Sequence, residues 1–182
     1  MIDARVQELG GQSREENVEE RAARLQRSLS FKQKRLQFIK SEAGVREAKA
    51  QVVSLRAHIE HCIVDANRAL GSDRIRFRDV HSTWLLYGLG SVLRIAWQVR
   101  YANTLDGAQL VADHLSSTPR LPGLMVFDEP RRLHTTKFLF DLLPSDQPGW
   151  VRQVQVPRMF STEGLAEFLV KEYIDRSEKY AH

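Results

Sequence analysis

Five consecutive residues, His58-Ile59-Glu60-His61-Cys62, are the nearest thing in this chain to a metal-binding run. On a helix, His58 and Cys62 are four apart and share a face, while His61 is offset. Zinc takes such ligands, but it needs three or four that converge, and no further set is apparent. Cys62 also falls on an apolar stripe, so the run reads as a helix with a buried thiol, and no metal is assigned. Asp79 and His81 flank Val80 and could project from one face of a strand. Asp113 and His114 are adjacent, which on a strand sends them to opposite faces. His134 stands near Arg131 and Arg132. Any of these could be half of an acid–base pair, yet neither Ser82 nor Ser91 sits in a recognisable nucleophile turn. Gly88-Leu89-Gly90 is followed by Leu93 where a dinucleotide fingerprint needs its third glycine, and no GxxxxGK[ST] occurs. No catalytic residue and no cofactor is assigned, and an enzyme of unrecognised type ranks third among the readings.

The strongest signal is electrostatic. Between Arg21 and Ser41 there are seven basic residues (Arg21, Arg24, Arg27, Lys32, Lys34, Arg35, Lys40) and no acid. An acidic block, Glu15, Glu16, Glu19 and Glu20, precedes them. At roughly 100° per residue, with Arg21 at zero, Leu25, Leu29, Leu36 and Ile39 fall between about 0° and 80°. Arg24, Arg27, Lys34 and Arg35 fall between about 220° and 320°, with Phe31 and Phe38 inside that sector. The helix therefore has an aliphatic seam and a basic stripe holding two phenylalanines.

The elements around this helix follow from periodicity. From Glu15 to Leu70 there is no proline and one glycine, Gly44. Helix-favouring residues dominate. A second stripe, Ala48, Val52, Leu55, Ile59, Cys62, Ala66, Ala69, steps by four and three. It is out of phase with the first, so the phase resets near Ser41 to Gly44. Two helices meeting there are favoured over one continuous helix of about 84 Å. Gly71 closes the segment.

Beyond it the texture is that of strands. Val92 to Ala102 alternates cleanly, and Thr83 to Tyr87 pairs with it through the glycine turn. Arg74 to Val80 is a weaker strand, with Ile75 and Phe77 inward. Ala108 to Leu115 fits strand or short helix, with strand preferred. An apolar run, Leu124 to Phe127, lies among prolines. Lys137 to Leu143 and Trp150 to Val156 suggest a second hairpin. Ser161 caps a final helix carrying Leu165, Phe168 and Leu169. The expected fold is α+β: a helical hairpin or long helical arm, a mostly antiparallel sheet of about five or six strands, and a C-terminal helix on the sheet. Residues 1–14 are expected to be a frayed start, 15–70 a helical arm and 73–182 the α+β domain.

Composition sets wider bounds. An apolar share of 42%, with three Trp and eight Phe, supports a real core. A formal charge of +4 permits an anionic partner without demanding one. One cysteine rules out an intramolecular disulfide, which suits a reducing compartment. The first residues lack a signal-peptide core, and the segment from Trp84 to Trp97 is too short and too charged to span a bilayer. A cytoplasmic protein is expected.

The functional expectation is a non-enzymatic interaction or assembly subunit. Its amphipathic arm meets a protein partner or a second copy, with Arg24, Arg27, Phe31, Lys34, Arg35, Phe38, Val52, Leu55 and Ile59 as the interaction residues. The alternative is a nucleic-acid-associated protein that binds phosphates through the basic face of residues 21–40.

Overall fold

The computed structural model describes residues 17–116 and 130–180. The chain divides into two compact units, residues 1–34 and 35–182. The first contributes the leading part of α1 (Val18–Ile39), a helix with no buried residue.

The phase reset is a helix boundary. Helix α2 (Glu42–Leu70) starts with Ser41 as its N-cap, the Ser41 hydroxyl accepting from the Gly44 N–H at 3.0 Å. The same hydroxyl donates to the Phe38 carbonyl at 2.9 Å. A Cβ on Gly44 would stand 2.2 Å from that carbonyl oxygen, which explains the glycine. The last carbonyl of α1, Ile39, accepts from the Thr104 hydroxyl at 3.0 Å and the Leu105 N–H at 2.8 Å. Gly71, at φ +65°, closes α2 in the left-handed conformation.

Seven antiparallel strands follow in a simple meander, ordered as in the sequence: β1 (Arg76–Val80), β2 (Thr83–Tyr87), β3 (Ser91–Gln98), β4 (Gln109–Ser116), β5 (Arg132–Leu142), β6 (Pro148–Arg152) and β7 (Arg158–Phe160). Helix α3 (Thr162–Tyr180) completes the fold, capped by the Ser161 hydroxyl on the Gly164 N–H. The architecture is α+β, with helices on one face of the sheet, as the patterning implies. Residues 108–115 fall largely within β4, which settles the strand-or-helix ambiguity of that segment. Strand β7 brings the count to seven; its three residues are too few to announce themselves by alternation. Strand β6 stops at Arg152 rather than running to Val156, because the Val154 N–H turns back onto the Arg152 carbonyl. The apolar run Leu124 to Phe127 lies outside the described residues, as do residues 1–14.

The core fills the space between the sheet and α2 with α3. Trp84, Leu86, Leu93, Ile95, Leu110, Phe138, Phe140 and Trp150 project from one face of the sheet. Leu55, Ile59 and Ile63 of α2 and Leu165, Leu169 and Tyr173 of α3 meet them, all at 5% exposure or less. The four-three stripe of α2 is thus consumed inside the domain. Trp150 anchors the cluster, edge-on to Trp97 at 5.7 Å and to Phe140 at 5.1 Å.

Candidate functional site

The nine expected interaction residues fall in three environments. Leu55 and Ile59 are fully buried and Val52 packs against the core, so these hold α2 in place and present no open face. Arg35 and Phe38 serve as anchors. The Arg35 guanidinium grips the buried Asp141 carboxylate through both oxygens, and its own pKa is raised chiefly by that hydrogen bond. Phe38 is half-buried and tilts onto Phe140 at 6.2 Å. Arg24, Arg27 and Lys34 are exposed, and Phe31 is intermediate.

The aliphatic seam of α1 is where apolar surface is left open. Val18 is 79% exposed, Leu25 61% and Leu29 55%. With the helix starting at Val18, the seam reads Val18, Ala22, Leu25, Leu29, Lys32: strict steps of four and three, interrupted once by lysine.

A second site was not legible in the sequence. Three rows of residues cross the covered face of the sheet and turn polar toward β5–β7. Leu86 and Leu93 lead to His114 and His134; Trp84, Ile95 and Ala112 lead to Thr136; Trp97, Leu110 and Phe138 lead to Arg152 and Arg158. Helix α3 lies over this corner. Tyr173 stacks on His114 at 5.8 Å, while its hydroxyl donates to the Ser91 carbonyl and accepts from the Leu89 N–H, both at 3.2 Å. Burial, then the charges of Arg176 and His134, push His114 down to about 4, so it is neutral at pH 7. His134 is lowered too, by burial and Arg176 first, and it shares a 3.1 Å hydrogen bond with Thr136. Glu172 is gripped by Arg176 at 3.0 Å and faces Arg152 at 3.6 Å. Arg152 and Arg158 both stand over the Phe168 ring, at 5.1 and 5.8 Å. These residues are spread over five elements, β4 to β7 and α3, and no spacing in the sequence brings them together.

The pairs that suggested acid–base chemistry come apart. Asp79 is held by Arg56 at 2.7 Å, while His81 lies beyond β1 in the two-residue turn, at φ 47°. They do not share a strand face, because the strand ends at Val80. Asp113 and His114 do point to opposite faces. Burial pushes the Asp113 carboxyl up, but hydrogen bonds from Thr135 and Arg94, each 2.6 Å, outweigh it and hold the group below its ordinary value. His58 and Cys62 lie on α2, and burial first raises the Cys62 thiol, the opposite of what a reactive cysteine needs. Among the described residues, no three His, Cys, Asp or Glu converge on a metal position. No described helix is long and apolar enough to cross a membrane. Comparison with family models, curated proteins and solved structures found no match.

Proposed function

We propose that this chain is an assembly subunit that self-associates through α1, two copies pairing their seams antiparallel. The observation that carries this reading is a 22-residue helix with no buried residue, bearing Leu25 and Leu29 more than half exposed on one stripe. Such a helix is marginal alone and gains most of its stability by packing its apolar side.

Charge selects the occupant and its direction. A parallel pair would set Lys32 against Lys32 inside the seam and run one basic block along another. An antiparallel pair centred on Leu25 sets Lys32 against Val18, beside Glu19 and Glu20 of the other copy. The interface is isologous and closes as a dimer.

The association is weak. Fully burying a leucine gives about 1.5–3 kcal/mol. Four leucines, each roughly 60% exposed, give about 4–7 kcal/mol, near the low end of the association cost of about 4–15 kcal/mol. Net of that cost the pair is held in the millimolar range at best, so sedimentation should show the mass rising from 20.9 kDa toward twice that value only between about 0.1 mM and about 5 mM. The Leu25→Asp/Leu29→Asp variant should stay monomeric with unchanged helix content in the rest of the fold. A wild-type chain that remains monomeric throughout overturns the reading. Salt-sensitive retention on nucleic acid that is lost in Arg24→Glu/Arg27→Glu/Lys34→Glu would replace it with the nucleic-acid alternative.

A further inference from the structure

The corner between β7 and α3 carries a charge arrangement that the fold does not balance. Arg152 and Arg158 are direct cross-strand partners on β6 and β7, and both side chains lie on the covered face. Like charges directly opposite destabilise a strand pair. Placing them there costs stability unless something anionic offsets the pair. Among the described residues the carboxylate that reaches Arg152 is Glu172, at 3.6 Å, and Arg176 already holds it at 3.0 Å. The Arg152 Nε is buried and has no hydrogen-bond partner among the described residues. Arg158 makes no ion pair among the described residues and rests only on the faces of Phe160 and Phe168.

A cleft of about 310 Å³ opens at this point. Four cations line it, Arg158, Lys171, Arg176 and Lys179, against two acids, Glu172 and Asp175. The lining therefore carries two excess positive charges, four minus two. The cleft volume is at the small end of the range for small-molecule sites.

We propose that this cleft binds a phosphoryl dianion, either inorganic phosphate or a small phosphate monoester, with Arg158 and Arg176 as the principal ligands and Lys171 and Lys179 supporting them from the cleft wall. A dianion matches the excess charge, and guanidinium forks match tetrahedral oxyanions bidentately. The site lies entirely within residues 35–182 and is independent of α1 pairing.

Isothermal titration and thermal unfolding with inorganic phosphate and with glycerol phosphate, against chloride at matched ionic strength, test it. Both phosphates should bind saturably and raise the unfolding midpoint, whereas chloride should not. Tighter binding of glycerol phosphate assigns the monoester, and equal binding assigns inorganic phosphate as the sufficient ligand. Arg158→Gln should weaken binding at least tenfold. Because it removes one of the two opposed cations, it should leave the phosphate-free midpoint unchanged or higher. Lys179→Gln, an exposed change on the same cleft, should weaken binding severalfold with no change in fold. Equal stabilisation by chloride and phosphate, or undiminished phosphate binding by both variants, overturns the proposal.

Discussion

Gly44→Ala sets two opposing effects against each other at the turn between α1 and α2. Helix propensity alone predicts a gain of about 1 kcal/mol, since Gly44 lies inside the first turn of α2. Packing predicts the reverse. The new methyl would stand 2.2 Å from the Phe38 carbonyl oxygen and 3.3 Å from the Ser41 hydroxyl. That oxygen is itself fixed, accepting from the Ser41 N–H at 3.2 Å and the Ser41 hydroxyl at 2.9 Å. Making room means moving backbone by about an ångström, which disturbs the cap and the seat of Phe38 on Phe140. Overpacking costs about 1–3 kcal/mol, and loss of the cap about 1 kcal/mol more. After subtracting the propensity gain, the net destabilisation is about 1–3 kcal/mol. For a chain of this length that lowers the thermal midpoint by about 2–4 °C per kcal/mol. Urea and thermal unfolding of Gly44→Ala should show this drop at an unchanged m-value. Ala50→Gly, on the exposed side of the same helix, should lose about 1 kcal/mol from propensity alone. A Gly44→Ala chain more stable than the parent would refute the steric account of the turn.

Two further perturbations probe the domain. Arg35→Ala should destabilise by about 2–3 kcal/mol, because it strands the Asp141 carboxylate, 4% exposed, with the Leu142 N–H as its one remaining donor among the described residues; Arg35→Ala/Asp141→Leu should recover most of the loss in urea unfolding. Acid should weaken the fold in a window set by His114, whose folded pKa of about 4 lies below its unfolded value near 6.5. The stability due to its neutral form is full above pH 6.5 and falls as pH drops toward 4, because the unfolded chain takes up the proton first. The lowered His134 adds with the same sign. Unfolding measured across pH 4–7 should slope by up to about 1.4 kcal/mol per unit from His114. His114→Gln should flatten that slope, and an unchanged slope would remove His114 as its source.

The parts of this protein that could be read from sequence are those whose cause is local. The alternation of Leu93, Ile95 and Trp97 against Arg94, Ala96 and Gln98 gave β3 because a half-buried strand imposes a two-residue period. The phase slip near Gly44 gave two helices because a capped turn at Ser41 ends one helix and restarts the next with its stripe rotated. What local pattern could not give was the use of each stripe. Leu55 and Ile59 look like a pairing seam, yet α3, more than a hundred residues later, covers them. Arg35 and Phe38 look like members of a basic patch, yet Asp141 and Phe140 claim them. The arginine corner is the extreme case. Arg152, Arg158 and Arg176 are unremarkable singly, and only strand register and the position of α3 bring them to one corner. Leu25 and Leu29 were legible as part of an aliphatic stripe, while its extension back to Val18 and its exposure had to come from the fold.

Antiparallel pairing of α1 is the central claim, and disulfide trapping reads it directly. In a Cys62→Ser background, one chain carrying Val18→Cys is mixed with one carrying Lys32→Cys and oxidised mildly. The account predicts that the Val18→Cys chain cross-links to the Lys32→Cys chain in preference to either self-pair, since antiparallel seams set those positions against each other. Dominant Lys32→Cys self-pairs would show a parallel arrangement, and no cross-link at concentrations near 1 mM would show that α1 does not pair with itself at all.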